Sequence, residues 1–549
     1  CVEFPSHGVL TDVNGKFTLR LPAEAKTLKV SSIGFLTQTV AITGQELKIT
    51  LKNEEKSIDK VVVVAYGTQT KNSFTGSAAR IDVASLTKKT GSNITSALEG
   101  ASPGVQVFTT SGQPGAAATV QIRGIGSVNS STAPLYVIDG VPYTSLLSGF
   151  NMADVENLTV LKDASATALY GARAANGVVL ITTKQGKAGR LSFDAEIKSG
   201  INVRYLPQYD VIDSPEEYME VAYEAMKNTY ERFGLKDKLT QLYNNPKAKF
   251  ADGKTIADAP KNAADLLFFP GILAGGEDAT GIWDHYNLWK AGSGQMIDVN
   301  TGKFNKSYKR LYTPESWRDH IFRTGRITET NVRVSGGSEK VNFSSSLGDQ
   351  DNIGYYISSE FNRLNLRNNV TVRPTKDFKV SLGLAYSRSL AKSPGQGSNS
   401  NNGFQFVNQI PSIYPVFEHD ENGNLVNDPK IPGGKSYDYG QTSEGSRAYA
   451  GGINPAGAVR LDRDEDLTNL TTGNLNLEYR FLKDFKLAVT YGFQSTASKN
   501  ETLANPYYGD AAKIGRIYNT NENDFSWTLN EILSWGKTFG DHTVDAFIA

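Results

Sequence analysis

Long stretches of this chain alternate apolar and polar residues one for one. From Leu191 to Val203, Leu191, Phe193, Ala195, Ile197, Ile201 and Val203 share one face, and Ser192, Asp194, Glu196, Lys198 and Asn202 share the other. A period of two marks a strand with one face in an apolar environment. The run is about twice the ~5–6 residues of an ordinary strand and fits the ~9–11 of one that crosses a membrane. The pattern returns downstream. Leu364, Leu366, Val370 and Val372 oppose Arg363, Asn365, Arg367, Asn369 and Arg373. Phe378, Val380, Leu382, Leu384 and Tyr386 oppose Lys379 and Ser381, and Phe485, Leu487, Val489, Tyr491 and Phe493 oppose Lys486 and Thr490. Shorter runs begin near Ile327, Val341, Leu475, Phe525 and Thr543. A soluble sandwich also alternates. Arginines at 363, 367 and 373 on the inner row favour instead a polar lumen inside an apolar outer band.

The connections alternate as well. Gly336 to Glu339, Pro374 to Asp377 and Phe481 to Asp484 read as tight turns. Arg204 to Gly325, Ala391 to Asp466 and Lys499 to Asn523 read as long loops, with a shorter link near Asp351 to Glu360. Short and long connections at opposite ends are the habit of outer-membrane barrels. In the first long loop, Ser214-Pro215-Glu216-Glu217 combines an N-cap, a proline at the first helical position and a capping-box glutamate. It predicts a helix to about Phe233 with Tyr218, Val221, Ala225 and Met226 on its apolar side. Trp283, Trp289 and Trp317 follow, suited either to stacking on a sugar or to a small loop core.

Upstream the grain is finer. Val155 to Leu161 reads as a strand, Asp163 as the N-cap of a helix over Ala164 to Tyr170 ended by Gly171, and Asn176-Gly177 as a turn into a buried strand, Val178 to Thr183. Before these come a short helix from Ile94 to Glu99, a turn at Pro103-Gly104 into Val105 to Thr109, and a loop from Gly112 to Gly115. Strands follow at Thr119 to Arg123 and Leu135 to Ile138, the latter closed by Asp139-Gly140 as a hairpin turn. Residues 1 to about 53 read as short strands: a hairpin from Gly8 to Leu21 around Asn14-Gly15, then Leu28 to Ile33, Phe35 to Ile42 and Leu47 to Leu51. Glu54 to Lys60 is a charged linker. Val61, Val62, Val63 and Val64 then precede Ala65, Tyr66 and Gly67. This short uncharged segment suits addition as a strand to a partner's sheet edge, and equally an ordinary strand of the preceding sandwich.

Composition narrows the options. Lys+Arg and Asp+Glu both number 57, a zero balance that argues against a nucleic-acid partner. One cysteine excludes a disulfide framework, and five scattered histidines give no metal-ligand spacing, so no metal or cofactor is expected. Arg123-Gly124-Ile125-Gly126 lacks the third glycine and the following helix of a dinucleotide fingerprint and reads as a turn. No Ser/His/Asp or paired-carboxylate constellation stands out, so the chain is not expected to be an enzyme. Mean hydropathy is −0.35, which does not count against a membrane β-barrel. CVEFPSHG carries no signal-peptide features.

Four blocks in order resemble the SusC/RagA family of TonB-dependent outer-membrane transporters: VVVVAYG at 61–67, ITSALEGASPGVQV at 94–107, QIRGIGSVNSSTAPLYVIDGVP at 121–142 and VENLTVLKDASATALYGARAANGVVLITTK at 155–184. TDVNGKFTL and VSSIGFLTQTVAI resemble the carboxypeptidase regulatory-like sandwich often placed before the plug. The resemblance implies a mainly β chain: a partial regulatory-like sandwich over 1–53, a linker with the TonB box over 54–74, an α+β plug over 75–187, and over 188–549 the first nine or so strands of a transmembrane antiparallel barrel of about 22. It further implies that Val61 to Gly67 bind the TonB-ExbB-ExbD energy-transducing complex and that a SusD-like surface lipoprotein covers the loops. The substrate is expected to be an oligosaccharide, with a peptide importer or a signal-transducing receptor as alternatives. Arg123, Trp283 and Trp289 are the expected substrate contacts. Against this stands a soluble all-β adhesin or scaffold, which needs neither plug nor TonB box. The chain ends inside a strand, at AFIA, and is expected to continue.

Overall fold

The computed structural model describes residues 9–51 with short breaks, 61–64, 67–70, 78–81, 83, 93–126, 131–145, 147–162, 168–205, 208–232, 285–290, 296–298, 300–394, 402–431, 433–442, 445–447, 449–508, 511–540 and 542–549. They fall into two units, 1–78 and 79–549.

In the first unit, β1 (Thr27–Val30) pairs antiparallel with β2 (Gln38–Ala41). Of the turn expected at Asn14-Gly15, Asn14 lies outside the described residues; the Gly15 N–H donates to Asp12 O at 3.0 Å, and the Lys16 N–H to Asp12 Oδ1 at 2.9 Å. The strands read on either side of it, and over Leu47 to Leu51, are not formed as ladders among the described residues. Further on, β3 (Val61–Val64) and β4 (Gly67–Thr70) make a hairpin with Val64 opposite Gly67.

The second unit opens with a compact plug. Its elements are β5 (Ala78–Ile81), α1 (Ile94–Ala97), β6 (Val105–Phe108), β7 (Thr119–Ile122), β8 (Leu135–Ile138), β9 (Val141–Tyr143), β10 (Val155–Leu161) and β11 (Val178–Thr183). Asn93 caps α1 with the reciprocal bonds of a capping box, its side chain to the Ser96 N–H and its own N–H to Ser96 Oγ. The main sheet has the order β5-β10-β11-β8-β9, with β10 antiparallel and β8 parallel to β11. β11 is buried on both faces, which is why Val178 to Thr183 reads as an uncharged β-branched run, and β10 is buried from Leu158 to Leu161. Asp139-Gly140 makes the expected two-residue turn, both at positive φ. The helix read over Ala164 to Tyr170 lies partly outside the described residues, as does its N-cap Asp163. Its described continuation, Ala168–Ala174, is 3₁₀ and kinks at Gly171.

After the plug, β12 (Gly189–Asn202) begins one nine-stranded antiparallel sheet. Its first long connection contains α2 (Pro215–Arg232), a small hairpin of β13 (Ile297–Asp298) and β14 (Lys303–Phe304), and α3 (Trp317–Ile321). Then come β15 (Gly325–Gly337), β16 (Val341–Ile353), β17 (Glu360–Val372) and β18 (Phe378–Lys392). The second long connection carries α4 (Gly403–Gln409), the two-residue strands β19 (Gln441–Thr442) and β20 (Gly445–Ser446), and α5 (Pro455–Leu461). The sheet closes its run with β21 (Arg463–Phe481), β22 (Phe485–Ala504), β23 (Arg516–Phe539) and β24 (His542–Ile548), each paired with its sequence neighbour.

Burial along this sheet is inverted relative to a soluble protein. On β17, Asn365, Arg367, Asn369 and Thr371 are buried, whereas Leu364 and Leu366 are about two-fifths exposed. Leu382, Leu384, Leu487, Tyr491, Trp527 and Leu529 continue the exposed apolar face on the neighbouring strands. Ring contacts Phe378–Tyr479, Tyr479–Phe481 and Phe481–Phe485 line its short-turn end. Such a face is the pattern of a barrel wall that meets lipid.

Two expectations are corrected. The long loop read over Lys499 to Asn523 is mostly strand, because β22 and β23 run on to Ala504 and from Arg516 with polar residues on both faces, such as Asn519 and Asn521 on one and Thr520 and Glu522 on the other, which hid the period. The helix at Pro215 exists, with Ser214 Oγ accepting from the Glu217 N–H at 3.3 Å. Its buried side, however, is Met219, Ala222 and Tyr223, and Val221 and Ala225 point outward. The packing surface is the β13–β14 hairpin, to which Glu220 binds through the Phe304 N–H and Lys303, and this fixes the helix's rotation.

Candidate functional site

The plug sits on the polar face of the nine-stranded sheet through hydrogen bonds made by side chains that alternate inward. Arg363 donates to the carbonyls of Ser148 and Phe150 at 2.8 and 3.0 Å, and Asn365 to Gly149 O at 2.8 Å. Asn369 reaches Thr183 Oγ1 and Lys184 O, both at 2.9 Å. Thr183 in turn donates through its N–H and hydroxyl to the Asp139 carboxylate. Asn151 binds Asn331 at 2.7 Å, and Gln494 on β22 binds Thr144 and Ser145. One ion pair is buried in this seam: Asp154 faces Arg367 at 3.5 Å and accepts from the Ser346 hydroxyl at 2.6 Å, while Arg367 lies over the Phe150 ring. Polar groups predominate in the seam. A polar seam can exchange partners with water, whereas an apolar one would hold the plug as a core holds a helix.

At the long-loop end, the plug segment Thr109 to Ala118 between β6 and β7 reaches the sheet. Gln113 donates to Ser393 Oγ just beyond β18. Gly115 has φ +80, and a Cβ there would overlap the Phe361 ring, so only glycine permits this approach. Beside this finger lies a cavity of about 470 Å³ whose lining includes Asn93, Ser111, Gln113, Gln350, Tyr355 and Phe361. Among the described residues its single charged lining residue is Arg363, whose guanidinium already serves the plug carbonyls. A second cavity of about 820 Å³ lies at the same end of β18, β21 and β22. Lys392, Arg460, Asp464, Glu465, Tyr439 and Tyr508 are among its walls.

The long connections fold into a subdomain with its own core around Trp317, Phe406, Val416 and Val459. Its centre is a buried charge cluster. Tyr286 donates to Asp438 at 2.9 Å, Arg447 faces Asp438 at 3.4 Å, and Arg447 stacks on Trp317, Phe406 and Tyr414. Burial and the neighbouring Asp438 push the Tyr286 hydroxyl pKa up, so it remains a donor. At its edge Glu315 bonds His419 at 3.2 Å and the Val416 N–H at 3.1 Å. Burial alone would raise the Glu315 pKa, but these bonds hold it below the usual carboxylate range.

Of the expected substrate contacts, the two that are described lie in different places. Arg123 is exposed with φ +60, at the end of the β6–β7 hairpin away from the finger, where its N–H donates to Gly104 O. It is not a lining residue of either cavity. Trp289 is buried and donates to Glu216 Oε1 at 2.9 Å, so it is a loop-core residue in this structure. Trp283 lies outside the described residues, as do Ala65 and Tyr66 of the expected TonB box. Sequence reading passed over Ser111, Gln113 and Gly115, in a segment read only as a loop, and Asp154. The signal for Asp154 was the run of arginines alternating on β17, which needed a carboxylate somewhere opposite. Among the described residues no cluster of His, Cys, Asp and Glu could hold a metal ion.

Comparison with known proteins agrees with this geometry. Residues 70–178 match the TonB-dependent Receptor Plug Domain, and residues 2–63 the CarboxypepD_reg-like domain. The chain is 26% identical over its whole length to the TonB-dependent receptor SusC of Bacteroides thetaiotaomicron, covering 48% of that protein. It is 37% identical to the TonB-dependent receptor P26 of Formosa agariphila over 36% of the chain and 20% of that relative. The structure of the RagAB peptide importer in its open-open state superimposes with a TM-score of 0.63 at 26% identity, over 89% of this chain and 48% of that one. The chain thus spans about half the length, or less, of the curated relatives it matches. A plug seated by buried polar contacts on a sheet that is apolar outside, together with these likenesses, supports a SusC/RagA-family TonB-dependent receptor.

Proposed function

We propose that this chain is the plug-bearing part of an outer-membrane importer that draws a nutrient through the barrel using energy delivered by TonB-ExbB-ExbD. The plug and N-terminal domain face the periplasm, and the long-loop end faces outward beneath a SusD-like lipoprotein. The observation that carries this reading is the inverted sheet: exposed leucines outside, and inside a polar wall bonded to a separate plug. An immobile scaffold has no need of a removable polar seam. The Val61 to Gly67 stretch is the coupling segment.

For the substrate, the cavity beside the plug finger supports an uncharged oligosaccharide. Its amide and hydroxyl side chains offer donors and acceptors together, and Tyr355 offers a ring. A peptide is the second reading. It is favoured by the larger cavity, whose walls carry both charge signs, and by the likeness to the RagAB peptide importer. Cells bearing the full-length protein should be given neutral oligosaccharides or short peptides as sole carbon source, with Gln113→Ala beside the parent. Uptake of the oligosaccharide that weakens in the variant supports the first reading. Peptide uptake alone supports the second, and uptake of neither removes the importer assignment.

A further inference from the structure

Within the seam between plug and sheet is a cavity of about 20 Å³, walled in part by Asp154, Asn365, Arg367 and Ser387. One water needs roughly 10–15 Å³ of such space. All four residues are more than nine-tenths buried. Three of their polar atoms, Asn365 Oδ1, Arg367 Nε and Ser387 Oγ, have no hydrogen-bond partner within the protein. The fourth, Asp154 Oδ2, stands 3.5 Å from Arg367 Nε. A direct charge-assisted bond is about 2.7–2.9 Å, so this pair is spaced too widely for one. Three buried groups left in this state would cost several times the ~1–3 kcal/mol of a single unsatisfied one.

We propose that one ordered water completes this joint, accepting from the Arg367 Nε–H and the Ser387 hydroxyl and donating to Asp154 Oδ2 and Asn365 Oδ1. Two donors and two acceptors match the four bonds a water makes. A cation would meet the Arg367 guanidinium, and an anion would meet the Asp154 and Asn365 oxygens, so neither ion fits. The water ties the plug, through Asp154, to β17 and β18 of the wall. Three of its four partners belong to the wall. When Asp154 departs with the plug, Arg367 therefore keeps one hydrogen-bonded neighbour, the water. The inference rests on the geometry of the seam and stands apart from the identity of any substrate.

The test is a map of the full-length protein fine enough to show ordered water. A peak within hydrogen-bond reach of all four atoms is expected. Direct Asp154–Arg367 contact, or an empty cavity with the four side chains well ordered, overturns the proposal. Ser387→Val fills the space with methyl groups and should abolish the peak. Ser387→Ala leaves three partners and should retain it. A peak that survives in Ser387→Val, or vanishes in Ser387→Ala with the backbone unchanged, also counts against it.

Discussion

At the scale of single residues, position along a strand decides everything, because the environment changes from lipid to plug with each step. Leu366 is 42% exposed on the outward face, and its neighbour Arg367 is buried against Asp154 and Phe150. An arginine on the lipid face costs about 2–4 kcal/mol near mid-depth. Leu366→Arg in the full-length protein should therefore sharply reduce assembly into the outer membrane, whereas Leu366→Phe should assemble normally. Heat-modifiable mobility of the membrane fraction reads both, and parental assembly of Leu366→Arg would show that this face does not meet lipid. On the inner face the failure is of a different kind. Asp154→Ala leaves Arg367 buried without its carboxylate, an error that typically costs about 3–5 kcal/mol. The barrel should still assemble, and the plug should become sensitive to protease. A plug as protected as the parent's would mean that the ion pair does not anchor it.

At the scale of elements, what the sequence disclosed depended on how regular each period was. β12, β17, β18 and the first half of β22 were legible because leucine, valine and phenylalanine mark every second position. The outer halves of β22 and β23 were not, since asparagine, threonine and glutamate stand on both faces there, and only the ladder to a neighbour makes them strands. The face of α2 was misread for a related reason: tyrosines, methionines and alanines surround it, and the β13–β14 hairpin chooses among them. The plug finger was invisible because its role comes from contacts with residues more than two hundred positions away, as Gln113 with Ser393 shows. The loop subdomain carries a pH dependence. Glu315, despite burial that would raise its pKa, is held low by His419 and the Val416 N–H. Glu216, against the same opposing burial, is held low by its own N–H, Trp289 and Arg310. A carboxylate with a depressed folded pKa stabilises the fold above its unfolded value of about 4.3, and that contribution is lost as pH falls through the folded pKa. Burial and the nearby Arg460 lower the His320 pKa, so protonation of the unfolded chain below about pH 6.5 acts in the same direction. Proteolysis of the subdomain should therefore stay slow near neutrality and rise as pH drops from about 6 toward 3, steepest below about 4.5. A rate that is flat across this range would mean that these bonds do not hold the loops.

At the scale of the whole molecule, the proposed importer needs a route for force to its plug, and the backbone of the β3–β4 hairpin gives a way to test one. Only two residues, Ala65 and Tyr66, separate the closing pair Val64 and Gly67. In such a hairpin the closing pair exchanges hydrogen bonds, the next pair does not, and the pattern alternates. Val64 and Val62 therefore spend their backbone groups on β4, while Val63 and Val61 turn theirs toward the outer edge, where a partner's strand would add. Proline removes a donor and fixes φ in a range a strand tolerates at its edge. Val63→Pro should thus leave the hairpin ladder intact and delete one donor from the partner-facing edge. Cells with this variant should display the full-length protein and bind substrate at the surface, yet fail to grow on it. Val63→Thr keeps β-branching and every donor and should import normally. Val62→Pro is the complementary case: it breaks the ladder to Gln69 but keeps both outer-edge donors, and import should persist. Normal import by Val63→Pro would remove this segment from the coupling path. Loss in Val62→Pro alone would instead assign the coupling role to the hairpin itself, not to its outer edge.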